Sequence, residues 1–256
     1  MIPALFIDLP YDTTIVLIIV VIVLGASMLS VVAGFGFGTV TVPMLLVMIP
    51  PAAVVVVIKI VGTGTVWIAL ISIWRHIRWR TIAPILPAAF AGLLVGGYIL
   101  SEANPAVIQL GVGVLVLISA VTLIMRPILI ARDAWWATSL VGFLTGVMGN
   151  STGLLAPAVV VYFTGRQFPR DVFRATTLTL FLTVDLVGLP TLALQGAVSL
   201  ADVQFALLLV PVAITGRLIG LRLVRYVSQP VFRRITIGLL FVMAVISIVS
   251  AVERLW

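Results

Sequence analysis

The chain consists largely of apolar segments about as long as a membrane is thick, and this restricts its fold more than any other feature. Of its 256 residues, 62% are hydrophobic and 9% are charged, whereas about a quarter of the residues of a soluble domain are charged. In lipid, an apolar segment of about 20 residues crosses as an α-helix, because only internal hydrogen bonds satisfy its backbone. We therefore predict an all-α polytopic membrane protein. Its apolar segments cover 13–34, 39–49, 52–74, 81–100, 105–125, 134–150, 154–164, 171–196, 202–222 and 231–252.

The polar residues argue against several classes of protein. There is no cysteine, and the single histidine, His76, lies in the basic run RHIRWR. We therefore expect no enzymatic activity, metal or cofactor. The net charge of +7 comes mostly from arginines near segment ends, as the positive-inside rule predicts, so the expected partner is lipid and not nucleic acid. The N-terminus lacks the positive region of a cleaved signal peptide, so we expect the first segment to remain in the mature protein.

Two of the apolar segments are too short to cross a membrane, and each follows a run of glycines and other small residues. The first run and its short segment read VVAGFGFGTVTVPMLL (31–46), and the second read GVMGNSTGLLAPAVVV (146–161). An interrupted helix at membrane depth is tolerated only where protein or a water-filled cavity covers it. Paired interruptions in the two halves of a chain indicate a transporter's binding site. Close packing of helices through small residues is the alternative explanation.

The two interruptions divide the chain into similar halves. Each half contains a helix, an interruption, a short helix and three long helices, which predicts one repeat at 1–125, a cytoplasmic linker at 126–133 and a second repeat at 134–256. Equivalent loops differ in charge: the loop at 75–80 carries three arginines, and its counterpart at 196–202 carries none. Because basic loops stay in the cytoplasm, we predict two inverted-topology repeats, each a broken helical hairpin plus three transmembrane helices. Both termini are then external, and the pattern leaves open whether each hairpin re-enters or crosses the membrane.

The two interruptions and two intramembrane cations form the predicted binding site. Glycine lets the backbone approach a ligand closely, and a helix that begins there directs N–H groups and the positive end of its dipole at the ligand. Lys59 and Arg174, which occupy equivalent positions when counted from Pro43 and Pro157, suit an anionic substrate. The predicted binding residues are Gly34, Gly36, Phe37, Gly38, Thr39, Lys59, Asn150, Ser151, Thr152, Gly153 and Arg174.

The charged residues inside the apolar segments also allow structural explanations. Asp185 lies deep in its segment, and we predict that it couples transport to protons; a structural ion pair is the alternative. Lys59 is its candidate partner, unless the lysine extends to the membrane surface. Arg174 lies beside Asp171 near the cytoplasmic boundary and also fits a surface position. Arg217, late in its segment, is expected to extend its side chain to the cytoplasm.

These motifs resemble those of the sulfite exporter TauE/SafE family of bacterial membrane permeases, and the resemblance covers nearly the whole chain. GFGFGTVTVPMLL is similar to that family's Gly-x-Gly-Gly-Gly…Pro pattern, with Phe37 where a glycine is usual. In GNSTGLLAPAVVV the departure is larger, because Asn, Ser and Thr stand where glycines are usual. The residues that carry the first motif are Gly34, Gly36, Gly38 and Pro43.

The resemblance implies a secondary transporter in the bacterial inner membrane. Its expected substrate is a small sulfur-containing anion, such as sulfite or an organosulfonate. The anion is expected to bind between the two interruptions and to be exported by alternating access. An anion channel, or an importer of a small carboxylate or thiosulfate, is the alternative; a membrane-embedded enzyme or an assembly factor is a further one. Helix faces rich in small residues are compatible with a homodimer.

Overall fold

The fold was obtained as a computed structural model that describes residues 11–33, 37–124, 135–223, 238, 241–242 and 244–253. Over these ranges the chain is helical and contains no strand. The helices are α1 (Thr13–Ala33), α2 (Phe37–Leu45), α3 (Pro51–Ile73), α4 (Trp79–Ile82), α5 (Leu86–Glu102), α6 (Pro105–Ile124), α7 (Trp135–Ser151), α8 (Ala156–Gly165), α9 (Arg170–Leu194), α10 (Leu200–Leu223) and α11 (Ala244–Glu253).

Helix lengths confirm the prediction of an all-α polytopic membrane protein. Among the described residues, four helices are long and apolar enough to cross a membrane, namely α1, α3, α9 and α10. The two helices that follow the interruptions are short: α2 has 9 residues and α8 has 10. At 1.5 Å per residue each extends for about half of a 30 Å hydrocarbon core. The predicted linker at 126–133 lies outside the described residues.

Helices from the two halves of the chain pack against each other. In the middle, α3 packs against α9. On one side of this pair α1 lies along α10, and on the other side α7 lies along α5. The short helices α2 and α8 contact α3 and α9, respectively. The centre of the molecule is therefore an interface to which both halves contribute.

Glycines bring the backbones of α5 and α7 into direct contact. Gly92 and Gly96 of α5 lie against the backbone of Val147, and a Cβ atom added to Gly146 of α7 would overlap the carbonyl of Ala89. Such close approach lets dispersion forces hold the helices together in lipid, where the hydrophobic effect does not drive helices to associate. Close packing, the alternative explanation for the small residues, therefore accounts for Gly146, which lies inside α7.

The same arrangement recurs between α1 and α10. A Cβ atom on Gly216 would lie 2.5 Å from the carbonyl oxygen of Leu24, and one on Gly220 would lie 2.7 Å from that of Met28. In each pair, two glycines four residues apart on one helix thus contact backbone atoms of the partner helix. Small residues fix the distance between the helices of both pairs.

Tyr11, two residues before the start of α1, is held against α10. The rings of Tyr11 and Phe205 meet edge to face with centroids 5.3 Å apart. Burial, followed by the negative charge of Asp202, raises the pKa of Tyr11 to about 12. The phenol therefore keeps its proton through the neutral pH range, and the aromatic contact stays intact.

We expect Gly146→Ala to destabilise the fold, because its methyl group would overlap the backbone of α5. The expected loss is about 1–3 kcal/mol, the usual cost of overpacking. Thermal unfolding of the purified protein in detergent measures it. Gly25→Ala is the matched control, because no atom lies within 4 Å of the added Cβ. Equal melting temperatures for the two variants would contradict the assigned packing of α5 and α7.

Candidate functional site

A cavity of about 80 Å³ lies at the interface between the two halves. Its wall includes residues of α1, α2, α3, α9 and α10, together with the segment that leads into α8. Most of the wall is apolar, and the polar side chains are few and come from five different helices. The polar and charged side chains that line it are Ser30, Thr39, Thr63, Arg174, Asp185 and Arg217.

The beginnings of the two short helices meet at this cavity. Phe37 and Gly38, at the start of α2, and Gly153 and Ala156, at the start of α8, all line it. The two segments touch, since a Cβ atom on Gly38 would lie 3.1 Å from the carbonyl oxygen of Gly153. Gly153 has φ +76°, a conformation that glycine adopts at no steric cost. Because the first N–H groups of a helix have no partner within it, two positive helix ends face the cavity.

A buried ion pair joins the halves beside the cavity. Lys59 Nζ of α3 lies 2.9 Å from Asp185 Oδ1 of α9, and the two side chains are 1% and 9% exposed. A charge buried alone costs several kcal/mol, so each of these residues needs the other. Asp185 lines the cavity, whereas Lys59 does not. The structural alternative for Lys59, pairing with Asp185, is therefore the observed one, and its charge is compensated.

Asn150 lies next to this ion pair and uses its amide to connect three helices. Its Nδ2 donates to the carbonyl of Leu93, at 2.9 Å, and to Thr191 Oγ1, at 3.0 Å. Gly188 makes room here, because a Cβ atom there would lie 2.6 Å from Lys59 Nζ and 2.7 Å from Asn150 Oδ1. The glycine thus lets α9 pack directly over both polar groups. Asn150 connects α7 to α5 and α9 and is not part of the cavity wall.

Ser151 and Thr152 direct their hydroxyl groups back to their own helix. Ser151 donates to the carbonyl of Val147 and Thr152 to that of Met148, each at 2.7 Å. Hydrogen bonds of this kind, from a hydroxyl group to the carbonyl four residues earlier, slightly weaken and bend a helix. Neither side chain lines the cavity, so in this conformation both serve the end of α7.

Two arginines face the cavity, one from α9 and one from α10. Arg174 of α9 is half-buried, and Arg217 of α10 is only 7% exposed. The Nε of Arg217 has no hydrogen-bond partner, and the guanidinium forms no ion pair with any residue of the described part of the chain. The prediction that Arg217 extends to the cytoplasmic surface is wrong, because Gly216 presses this turn of α10 against α1.

Lys59 and Arg174 do not occupy equivalent positions. Both α3 and α9 begin directly after a proline with nearly the same backbone angles, Pro50 (φ −59°, ψ 149°) and Pro169 (φ −53°, ψ 148°). Counted from these helix starts, Lys59 is the ninth residue of its helix and Arg174 the fifth of its own. The difference of four residues is about 6 Å along the axis, so the predicted equivalence is wrong.

About half of the predicted site residues come together at the cavity, and two lie outside the described residues, namely Gly34 and Gly36. Sequence patterns missed Ser30 and Arg217, whose position depends on how α1 and α10 pack. Among the described residues, no group of three acidic or histidine side chains could hold a metal ion. The predicted residues that line the cavity are Phe37, Gly38, Thr39, Gly153, Arg174 and Asp185.

Comparison with models of known protein families gives a match over most of the chain. The sequence model of the sulfite exporter TauE/SafE family matches residues 18–246 of the chain. No curated protein and no solved structure matches it. The matched range runs from α1 into α11 and includes every residue named above as lining the cavity.

We expect the ion pair to contribute to stability only as a pair. Asp185→Leu leaves the Lys59 ammonium buried without a partner, and loss of one partner of a buried ion pair costs about 3–5 kcal/mol. Lys59→Met combined with Asp185→Leu removes both charges and should recover most of that loss. Thermal unfolding of the two single variants and the double variant in detergent measures the coupling. Additive losses in the double variant would contradict it.

Proposed function

The chain belongs to the sulfite exporter TauE/SafE family, and we propose that it exports a small sulfur-containing anion, such as sulfite or an organosulfonate, by alternating access through the arginine-lined cavity. As a member of that family it is a multi-pass membrane transporter with a small anionic substrate. In this proposal the cavity is the anion-binding site, Asp185 couples transport to protons, and the protein resides in the bacterial inner membrane. Because its helix faces are rich in small residues, a homodimer is compatible with it.

The positive charge of the cavity is the observation that carries the proposal. Arg174 and Arg217 bring two cations to its wall, and Arg217 forms no ion pair within the described part of the chain. Asp185, the acidic side chain on the described wall, is already paired with Lys59. The starts of α2 and α8 add two positive helix ends. In a low-dielectric membrane interior this excess charge favours an anion over a cation or a neutral solute.

The exchange of helix contacts between the halves supports inverted repeats. If α7, α8, α9 and α10 correspond to α1, α2, α3 and α5, the contact of α1 with α10 corresponds to that of α7 with α5. The contact of α3 with α9 then corresponds to itself, as expected on a two-fold axis. The paired glycines of α5 and α10 and the prolines before α3 and α9 follow the same correspondence. We therefore keep 1–125 and 134–256 as the proposed repeats.

In the orientation predicted from loop charge, with the loop at 75–80 in the cytoplasm, the cavity opens toward the cytoplasm. α3 then runs inward and α9 outward, so the lining residues from Gly62 to Ala69 and from Arg174 to Leu182 lie in the cytoplasmic half of the membrane. On the external side the Lys59–Asp185 pair and the hydrogen bonds of Asn150 close the interface. This arrangement corresponds to the inward-facing state of a carrier that loads its anion from the cytoplasm.

In the proposal, Asp185 is the coupling group and Lys59 its counter-ion. Asp185 contacts both the cavity and Lys59, so a proton on the carboxyl would change the charge next to the bound anion. Asn150 holds the external closure through its hydrogen bonds to α5 and α9. The hydroxyl groups of Ser151 and Thr152 bond to the end of α7. The Asn150 amide becomes available to the anion when α7 and α9 separate in the outward-facing state, because its hydrogen bond to Thr191 is then broken.

We expect purified protein in proteoliposomes to transport sulfite or methanesulfonate with saturable kinetics. Arg174→Gln should raise the concentration for half-maximal flux about tenfold, because it removes one cation from the cavity wall. Arg80→Gln, at an exposed position in α4, is the matched control and should leave the flux unchanged. Asp185→Asn should abolish the dependence of the flux on a pH gradient.

Flux that rises linearly with concentration would indicate an anion channel and contradict the carrier. Absence of flux and of binding for both anions would contradict the proposed substrate class. Arg80→Gln and Arg174→Gln each remove one positive charge. A general effect of protein charge on the vesicles would therefore appear in both variants.

A further inference from the structure

We propose that Arg217 is the residue that binds the charged head of the substrate directly, and that it selects for oxyanions. The inference rests on the proposed transport function and assigns the chemistry of recognition at that site. Arg217 does not lie within either glycine-rich interruption. Its position at the cavity arises from the packing of α10 against α1.

Within the part of the chain that the structure describes, no side chain compensates the charge of Arg217. The side chain is 7% exposed, its Nε has no hydrogen-bond partner, and no ion pair with it exists among the residues the structure describes. Lys59, the other deeply buried cation, has a carboxylate at 2.9 Å. Buried charges are normally paired, since an unpaired one costs several kcal/mol. A guanidinium left unpaired on a cavity wall is therefore available to an anionic ligand.

The position of Arg217 is fixed by its neighbours in α10. The adjacent Gly216 lies against the backbone of Leu24 and the side chain of Ser27, and Gly220 against Met28. These contacts leave α10 no room to rotate relative to α1. Arg217 lies six residues before the end of α10, about 9 Å from it by helical rise. The packing of α10 against α1 therefore holds Arg217 at the cavity wall.

The charged groups that face Arg217 across the cavity come from α9. They are Arg174, half-buried near the start of that helix, and Asp185, whose carboxylate is paired with Lys59. On the α1 and α3 sides the polar lining residues are the hydroxyl groups of Ser30 and Thr63. Nothing on the described wall therefore neutralises Arg217 in the absence of an anion.

The shape of the guanidinium determines which anions it prefers. Its planar fork of N–H groups donates two parallel hydrogen bonds to two oxygens of one ligand, as in bidentate carboxylate and phosphate pairs. Sulfonate and sulfite present such oxygen pairs, whereas a halide ion presents a single point charge. Arg217 should therefore favour an oxyanion over chloride of the same charge.

Binding of methanesulfonate to the purified protein in detergent, measured by calorimetry and by thermal shift, tests this assignment. Arg217→Met and Arg217→Gln should each raise Kd at least fivefold, while the melting temperature without anion stays at or above that of the unchanged protein, because an unpaired buried charge is removed. Arg222→Gln, exposed at the end of the same helix, is the control and should bind normally. Chloride should compete with methanesulfonate only weakly.

Three results would overturn the assignment. A Kd changed less than fivefold in both variants would show that Arg217 does not contact the anion. Failure of both variants to fold would assign Arg217 a structural role instead. Chloride competing as well as an oxyanion would remove the selectivity. If the unchanged protein itself binds no anion, the proposed function fails, which the measurement on that protein separates from failure of the role of Arg217.

Discussion

The need to compensate charge inside a membrane governs this structure, and the contact between Lys59 and Asp185 is where it acts most strongly. Their atoms meet at 2.9 Å with almost no exposure, so α3 and α9 must approach each other at that level. The two central helices belong to opposite halves of the chain, and the ion pair therefore joins the halves. Gly188, without a side chain, leaves the space that the lysine head and Asn150 occupy.

The outer helix pairs provide a rigid frame for this centre. Glycines place α5 against α7 and α10 against α1 at backbone contact, which in lipid is a main source of helix association. Because each pair takes one helix from each half of the chain, these contacts hold the two halves together. The cavity lies between the frame and the central pair, where the starts of α2 and α8 meet two arginines. Lys59 thus pairs with Asp185 and joins the halves, whereas Arg174 and Arg217 face the cavity.

Much of the fold follows from the sequence, because lipid permits few backbone arrangements. The apolar segments predicted the helices closely. The segment 52–74 corresponds to the helix Pro51–Ile73, and the segment 171–196 corresponds to the helix Arg170–Leu194. The site was harder to predict. Side-chain type alone indicated neither that Asn150 would donate to the carbonyl of Leu93 nor that Arg217 would turn into the cavity. Both depend on contacts between helices far apart in the chain, which local patterns do not contain.

The absence of cysteine makes one measurement direct. Thr63→Cys places the only thiol of the chain on the cavity wall, and Thr65→Cys, buried away from that wall on the same helix, is the control. A membrane-impermeant maleimide should label Cys at 63 in inside-out vesicles, methanesulfonate should slow that labelling, and the control should stay unlabelled. Labelling at 63 that is unaffected by the anion, or that occurs only from the external side, would contradict an anion site in a cavity open to the cytoplasm.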